Sequence, residues 1–477
     1  MPRFKHKTLR MKPILLLVIL GSFPFLTGAQ VQVRPLPSSG YEKRIKDFID
    51  NLTVVDTHEH LMSPANLKKR TSLDFMLLLQ GYSDFRTAGM PNMNILLKDS
   101  LSPKEKWQIV KPYWEASSNT TYNRIALLTA DKLFDIKDIN ESTVTELSDK
   151  IGKAYQIDNW INSVIQKSKI DFVIEDNLML QKEAKQFGSE RFRYVKRFDN
   201  YIAVNSREKI NYIAQQHNKQ IQTLDALVET LGADFKAAAE QEIVAIKIGM
   251  AYRRILYFED ITKEKAEEVF NTVMNMDERM LSAADVKPLQ DYMAHRVLDQ
   301  AKLYNVPVQI HTGFQQYGNT ISNANPTHLI NLFKEYPGVK FVLFHGSYPY
   351  GGELSAIAKA FGNVYLDLTW VYVLSPSFSV RYLHEWLETI PASKITAYGG
   401  DYGNVENAYG HLLFAKQIVS RVLVDKVKDG YFSESEGKKI AQMMLHDNAV
   451  QIYKLSPSKR MYPEQLYYSE PPPSQKK

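Results

Sequence analysis

Short apolar runs, each closed by a polar or turn-forming residue, punctuate this chain from residue 52 to residue 401. Eight of them read as strands. They occupy residues 52–58, 170–174, a stretch somewhere within 191–202, then 243–248, 306–311, 340–345, 364–368 and 395–399, the last running into Asp401. Runs that are apolar at nearly every position are expected of parallel strands covered on both faces. Between the later runs the period becomes helical. Asn325-Pro326 pairs an N-cap residue with a first-turn proline, residues 379–390 continue the pattern, and Ser433-Glu434-Ser435-Glu436 is a capping box opening a last helix to about residue 455. Strands alternating with helices make βα units. Eight such units predict an α/β fold of the (β/α)8 TIM-barrel kind, for which about 250 residues is usual.

The chain has 477 residues, and the excess is localised. Residues of about 62–168, between the first two strands, show helical patterns at 102–115, 121–131 and 142–166. An insertion after a barrel strand projects from the face where active sites sit, so this one reads as a helical lid or pocket wall. At the N-terminus, Arg3, Lys5, Lys7, Arg10 and Lys12 precede an apolar stretch at 14–26 and the small residues Thr27-Gly28-Ala29, the pattern of an export signal cleaved near Ala29. The stretch is short for a membrane span, which needs about 20 residues. The expected organisation is a signal peptide at 1–29, a linker and helix at 30–51, one domain at 52–456 and a flexible tail at 457–477.

Charge and composition narrow the partners. The formal charge of +6 falls to about +1 once the five basic residues of the leader are removed, and no basic patch suggests nucleic acid. With no cysteine, disulfides, thiolate chemistry and a lipid anchor at the cleavage site are excluded, and any metal must be held by His, Asp, Glu or a modified Lys. The expected localisation is periplasmic or secreted. The expected partner is a small-molecule substrate, with no stable membrane insertion after cleavage, and a homo-oligomer is compatible with the chain.

The chemistry-bearing residues fall at the ends of the runs. His58 and His60 form a His-x-His pair, whose side chains point to one side of an extended strand. Lys247, His311, His345 and Asp401 end the fourth, fifth, sixth and eighth runs. Barrel enzymes place catalytic groups at these positions. A lone His-x-His pair occurs on ordinary surfaces, but ligand-type residues at five strand ends form a ring. A divalent ion there lowers the pKa of a coordinated water to about 7, and a carboxylate beside it can carry the proton to a leaving group. Lys247 is followed by Tyr252, Arg253 and Arg254, a cationic cluster that suits a carboxylate or phosphate and equally suits a solvated face. Glu59 should point away from the pair, as a structural residue. His295, His328, His384 and His411 fall in helical patterns and read as surface or packing residues. Tyr348 and Tyr350 are candidates for a pocket wall. Asp367 ends the seventh run, where core hydrogen bonding explains it as well as a supporting role.

The ring resembles that of the amidohydrolase superfamily of metal-dependent (β/α)8 hydrolases. The segments Gln309-Ile310-His311-Thr312-Gly313-Phe314, Phe344-His345-Gly346-Ser347-Tyr348-Pro349-Tyr350, Asn363-Val364-Tyr365-Leu366-Asp367-Leu368 and Gly399-Gly400-Asp401 are similar to the amidohydrolase-2 branch. They are most similar to the domain fused to glutamine-synthetase-like modules in fluffy-type and nodulin-like proteins. Uronate isomerases, more distant members, also carry a large insertion after strand one. The resemblance implies His58, His60, His311 and Asp401 as metal ligands, with His345 and Lys247 as further candidates. It implies one or two ions, zinc before manganese. Asp401 and His345 would be catalytic, and Lys247, Arg253 and Tyr348 would face the substrate. A carboxylated Lys247 would bridge two ions; an unmodified one would bind a substrate carboxylate. The expected function is hydrolysis of a C–N or ester/lactone bond in a small, anionic substrate. Uronate isomerase-like or decarboxylase chemistry on the same scaffold, and a non-catalytic binding protein, are the alternatives.

Overall fold

The structure, a computed structural model, describes residues 40–63, 73–94, 98, 100–176, 190–316 and 318–455. The leader, most of the linker, the tail and the beginning of the insertion lie outside the described residues. The eight runs are eight strands in one parallel sheet, in sequential order: β1 (Val54–Glu59), β2 (Ile170–Glu175), β3 (Phe192–Arg197), β4 (Ala245–Ile248), β5 (Val308–Ile310), β6 (Phe341–Leu343), β7 (Val364–Asp367) and β8 (Ile395–Thr396). This is the expected (β/α)8 barrel. The uncertain third strand resolves within 191–202 and ends on Arg197, level with Lys247 of β4.

β8 is only two residues long, and the segment after it closes the barrel on β1. Thr57 N donates to Tyr398 O at 3.2 Å, Asp401 N to His58 O at 2.8 Å, His60 N to Tyr402 O at 3.0 Å and Met62 N to Gly403 O at 3.0 Å. The short strand is pinned from outside by the C-terminal segment: Ala397 N donates to Met444 O, and Asn448 Nδ2 to Ile395 O. The same segment plugs the barrel. Ala449, Ile452, Tyr453 and Leu455 pack with Val55, Ile174, Val195, Ala245, Val342 and Phe344, and Gln309 Nε2 donates to Tyr453 Oη. The plug thus covers this end of the barrel, opposite the strand ends that carry His58, His345 and Asp401.

The capping boxes hold where expected, at Ser102 and Ser433, and Asn325 caps the turn that begins at Pro326. One expected helix does not form as a single rod. Residues 142–166 make two helices, Val144–Ala154 and Trp160–Lys167, broken by a turn ending in Asn159 at φ 71. The break brings Tyr155 and Trp160 to one acceptor: both donate to the buried carboxylate of Glu406, at 2.9 and 2.6 Å. The final helix is also interrupted, by a π-turn at Met443–Asp447.

The insertion has its own core, built on Phe75, Phe85, Trp107, Val110, Trp114, Leu147 and Ile151. It docks on the barrel chiefly through Thr121–Phe134 against the long helix Val405–Lys428. Gly410 lies at that crossing, where an added Cβ would come within 2.0 Å of Thr129 Oγ1. Among the described residues no helix is long and apolar enough to cross a membrane. Alanine normally stabilises a helix interior over glycine by about 1 kcal/mol; here the sign reverses. Gly410→Ala is expected to destabilise by about 1–3 kcal/mol through overpacking, read as a lower midpoint in denaturant; an unchanged or raised midpoint contradicts this close crossing.

Candidate metal centre

The closure of β1 on residues 398–403 decides which side chains meet. β1 and β2 lose regular register between Asp56 and Glu59, and the irregular end of β1 carries both histidines. Asp401 follows at the mouth, its backbone held at φ 61. His345 and Trp370, after β6 and β7, are also left-handed, each at φ 64. Such φ values are uncommon outside glycine and concentrate where the surroundings over-determine the chain. Three strand ends around one mouth share this strain.

His58, His60 and Asp401 form the one group of metal-ligand type among the described residues, each offering an atom within 4.8 Å of the others. His60 Nε2 is 3.2 Å and His58 Nε2 3.7 Å from Asp401 Oδ1. Two donors each about 2.0–2.1 Å from a tetrahedral ion lie roughly 3.4 Å apart, so these spacings leave room for one. The tautomer fits as well. His60 Nδ1 donates to the Asp176 carbonyl at 2.7 Å, which leaves the Nε2 lone pair facing a carboxylate. Two lone pairs in that position need a cation or a proton between them. Without an ion, a proton serves. Burial lowers the His60 pKa, but the Asp401 hydrogen bond and the Asp176 and Asp401 charges outweigh it and raise the imidazole. Burial raises Asp401, but the His60 hydrogen bond and the charges of His58, His60 and His345 hold it well below the usual carboxylate range. His58, buried and beside Lys247, is pushed well down.

The other ring members stand around this group rather than in it. His345 Nδ1 donates to Thr369 O at 3.0 Å and His311 Nε2 to Phe314 O at 3.1 Å. The remaining nitrogens, His345 Nε2 and His311 Nδ1, face each other at 2.8 Å. Carbonyls only accept, so both outer nitrogens carry protons, and the inner contact is a hydrogen bond only with a third. Burial opposes that charge, pushing His345 down to about 4 and His311 well below the ordinary imidazole range, the neighbouring His345 adding to it. Lys247 is buried with Nζ 3.4 Å from the centre of the Phe344 ring. Burial takes it down to about 7, Arg197 adding to this and Asp176 opposing it.

Two residues of this site escaped the sequence reading. Asp176 follows β2 and Arg197 ends β3. They form a fork, with Arg197 Nε 2.8 Å and Nη2 2.6 Å from Asp176 Oδ2, which also lies 3.6 Å from His58 Nε2. Asp176 stands two residues past the second run, a position whose polarity could have flagged it; Arg197 was hidden by the blurred third run. The cationic cluster divides. Arg254 is tied to Asp291 and Gln290, Arg253 is exposed, and the Tyr252 ring lies 4.4 Å from that of His311. Tyr348 packs against Phe378 and Phe314, and its carbonyl accepts from Phe314 N. Asp367 is held by Thr369 N and Thr396 Oγ1, the core bonding considered for it. His411 is buried among Tyr372, Tyr398 and Tyr402, a packing residue. The insertion supplies Tyr122, whose Oη accepts from Trp370 Nε1. Trp370 stacks on Phe314 and meets His345 edge-on.

The family described as amidohydrolase matches residues 270–455, from the approach to β5 through the C-terminal plug. Protein fluG of Emericella nidulans is 27% identical over 255 residues, 50% of this chain and 30% of that protein, so the chain spans about a third of that relative's length. The fold extends further. A uronate isomerase from Thermotoga maritima superposes with a TM-score of 0.72 at 17% identity, covering 87% of this chain and 97% of its own. A glucuronate isomerase from Caulobacter crescentus gives 0.73 at 15% identity, with 91% and 98% covered. A protein described as a metal-dependent hydrolase from Lactobacillus casei gives 0.62 at 19% identity, with 86% and 97% covered. The C-terminal half of the barrel is thus similar to the amidohydrolase family, and the whole barrel shares its fold with these solved structures.

Proposed function

We propose that the protein is an exported, single-ion hydrolase of a C–N or ester/lactone bond in a small anionic substrate. The observation that carries this reading is the His58–His60–Asp401 group, with ligand spacing, a fixed His60 tautomer and a carboxylate kept ionised. These three residues would hold the ion, most reasonably zinc. When bound, it supplies Lewis acidity and acidifies a water near neutral pH. The second Asp401 oxygen takes the proton of the attacking water and hands it to the leaving group. The outer nitrogens of His311 and His345 donate to backbone carbonyls and burial disfavours a charge on either ring, so the pair stands beside the group as neutral imidazoles. Lys247 and exposed Arg253 give the side of the mouth near β4 a cationic character suited to a substrate carboxylate. Trp370, Phe314 and Tyr122 form the apolar wall across from it. One ion is favoured over two because Lys247 lies against Phe344 and the nitrogens of His311 are engaged elsewhere.

A second reading keeps the ion and replaces hydrolysis by aldose–ketose isomerisation of a uronate. It is favoured by the likeness to uronate isomerases over nearly their whole length.

Metal analysis of the purified protein is expected to give one zinc per chain. His60→Ala and Asp401→Ala should each lose it, and His311→Ala should retain it; two ions per wild-type chain would contradict the single-ion site. Zinc and a proton compete for His60 Nε2. The raised His60 pKa means that affinity should fall with acidification, beginning above the ordinary value of 6.5 and steepening to about tenfold per pH unit for each proton displaced. A titration that is flat from pH 8 to pH 5.5 would remove His60 from the ligand set. A screen of N-acyl amino acids, γ-glutamyl amides, lactones and hexuronates in H2 18O separates the two reactions. Hydrolysis puts the heavy oxygen into product, whereas hexuronate turnover without incorporation establishes the isomerase.

A further inference from the structure

Glu59, between the two histidines, does more than face away from them. Three consecutive amides around the third ligand are caught by β1. Gly400 N donates to Asp56 Oδ1 at 3.0 Å, Asp401 N to His58 O at 2.8 Å and Tyr402 N to Glu59 Oε2 at 2.8 Å. Both carboxyl side chains are 1% exposed. Glu59 Oε1 lies so close over Gly400 that an added Cβ there would come within 1.7 Å of it. Asp401 contributes only its backbone to this arrangement, and its carboxylate is left to face His60 and His58. Its φ of 61 is far from the ordinary right-handed region. Relaxing into that region turns the backbone by roughly 120°, whereas metal ligands must be placed to within about 0.2 Å.

We propose that Glu59, together with Asp56, is a positioning clamp that fixes residues 400–402 in the conformation aiming the Asp401 carboxylate at His58 and His60. The clamp is a property of the chain alone; only its effect on ion affinity rests on the metal reading above. Glu59 acts through Asp401 and touches neither ion nor substrate. An acceptor oxygen at the end of the side chain is what the clamp requires, and glutamine supplies one, with an amide group to face Asp56.

The test compares the full-length protein with Glu59→Gln, Glu59→Met and Glu59→Ala. Hydrogen exchange is followed by mass spectrometry on peptides covering residues 397–404, and zinc affinity by competition with a chromophoric chelator. In Glu59→Ala and Glu59→Met, exchange over 397–404 should quicken about tenfold, the loss of one buried hydrogen bond, while peptides from β4 to β7 stay as in wild type. Zinc affinity should fall roughly 10- to 100-fold, as for other residues that orient a ligand. Glu59→Gln should match wild type in both. Wild-type exchange and zinc affinity in Glu59→Met overturn the clamp, as does a Glu59→Gln protein that exchanges like Glu59→Ala or fails to fold. If the alanine protein does not fold, the methionine and glutamine proteins decide. If wild type binds no zinc, the metal reading falls and the exchange results alone judge the clamp.

Discussion

Four backbone hydrogen bonds between β1 and residues 398–403 hold the site in existence. β8 is too short to pair with β1 as a strand, so closure is made by the loop that carries Asp401. The bonds that shut the barrel are therefore the bonds that bring Asp401 to His58 and His60. Fold stability and ligand geometry are one constraint here. Whatever loosens the seam also opens the distance between Asp401 Oδ1 and the histidine nitrogens. The C-terminal plug, by pinning Ala397 and Ile395 from behind, supports the same seam from the opposite side.

Most of the barrel was legible because buried parallel strands are apolar at nearly every position, and that signal does not depend on their partners. The convergence of His58, His60 and Asp401 was legible for a related reason: polar groups at the ends of such runs stand out against them. What escaped was set by tertiary geometry. Asp176 and Arg197 neutralise each other, and no local pattern announces a fork between two strand ends. The turn that splits 142–166 exists because Tyr155 and Trp160 converge on Glu406, more than two hundred residues away. Glu59 was placed by alternation as a structural residue facing away from the pair, but its acceptor role toward Tyr402 N could not be read from spacing. His311 and His345 were recognised as imidazoles of the ring, but their mutual contact could not be read from spacing.

The insertion and the barrel make different contributions to the mouth. The barrel provides charge: the ionised Asp401, the depressed Lys247 and the Arg197–Asp176 fork. The insertion contributes apolar bulk and one phenol, Tyr122, held by Trp370. Such a pocket strengthens every charge interaction within it, because low-polarity walls reduce screening. The insertion is fastened by a buried carboxylate and by a close helix crossing, so this wall is built to stay in place.

The separation of the ligands along the chain has a consequence for biogenesis. His58 and His60 leave the ribosome early, and Asp401 more than three hundred residues later. At roughly 5–20 residues per second, the histidines wait on the order of tens of seconds for their partner, and the plug that secures it follows later still. A nascent chain holding only the pair has two nitrogen donors and no seam to orient them. On the metal reading proposed above, ion capture is therefore an event of the completed polypeptide, and a truncated product would be empty as well as unfinished.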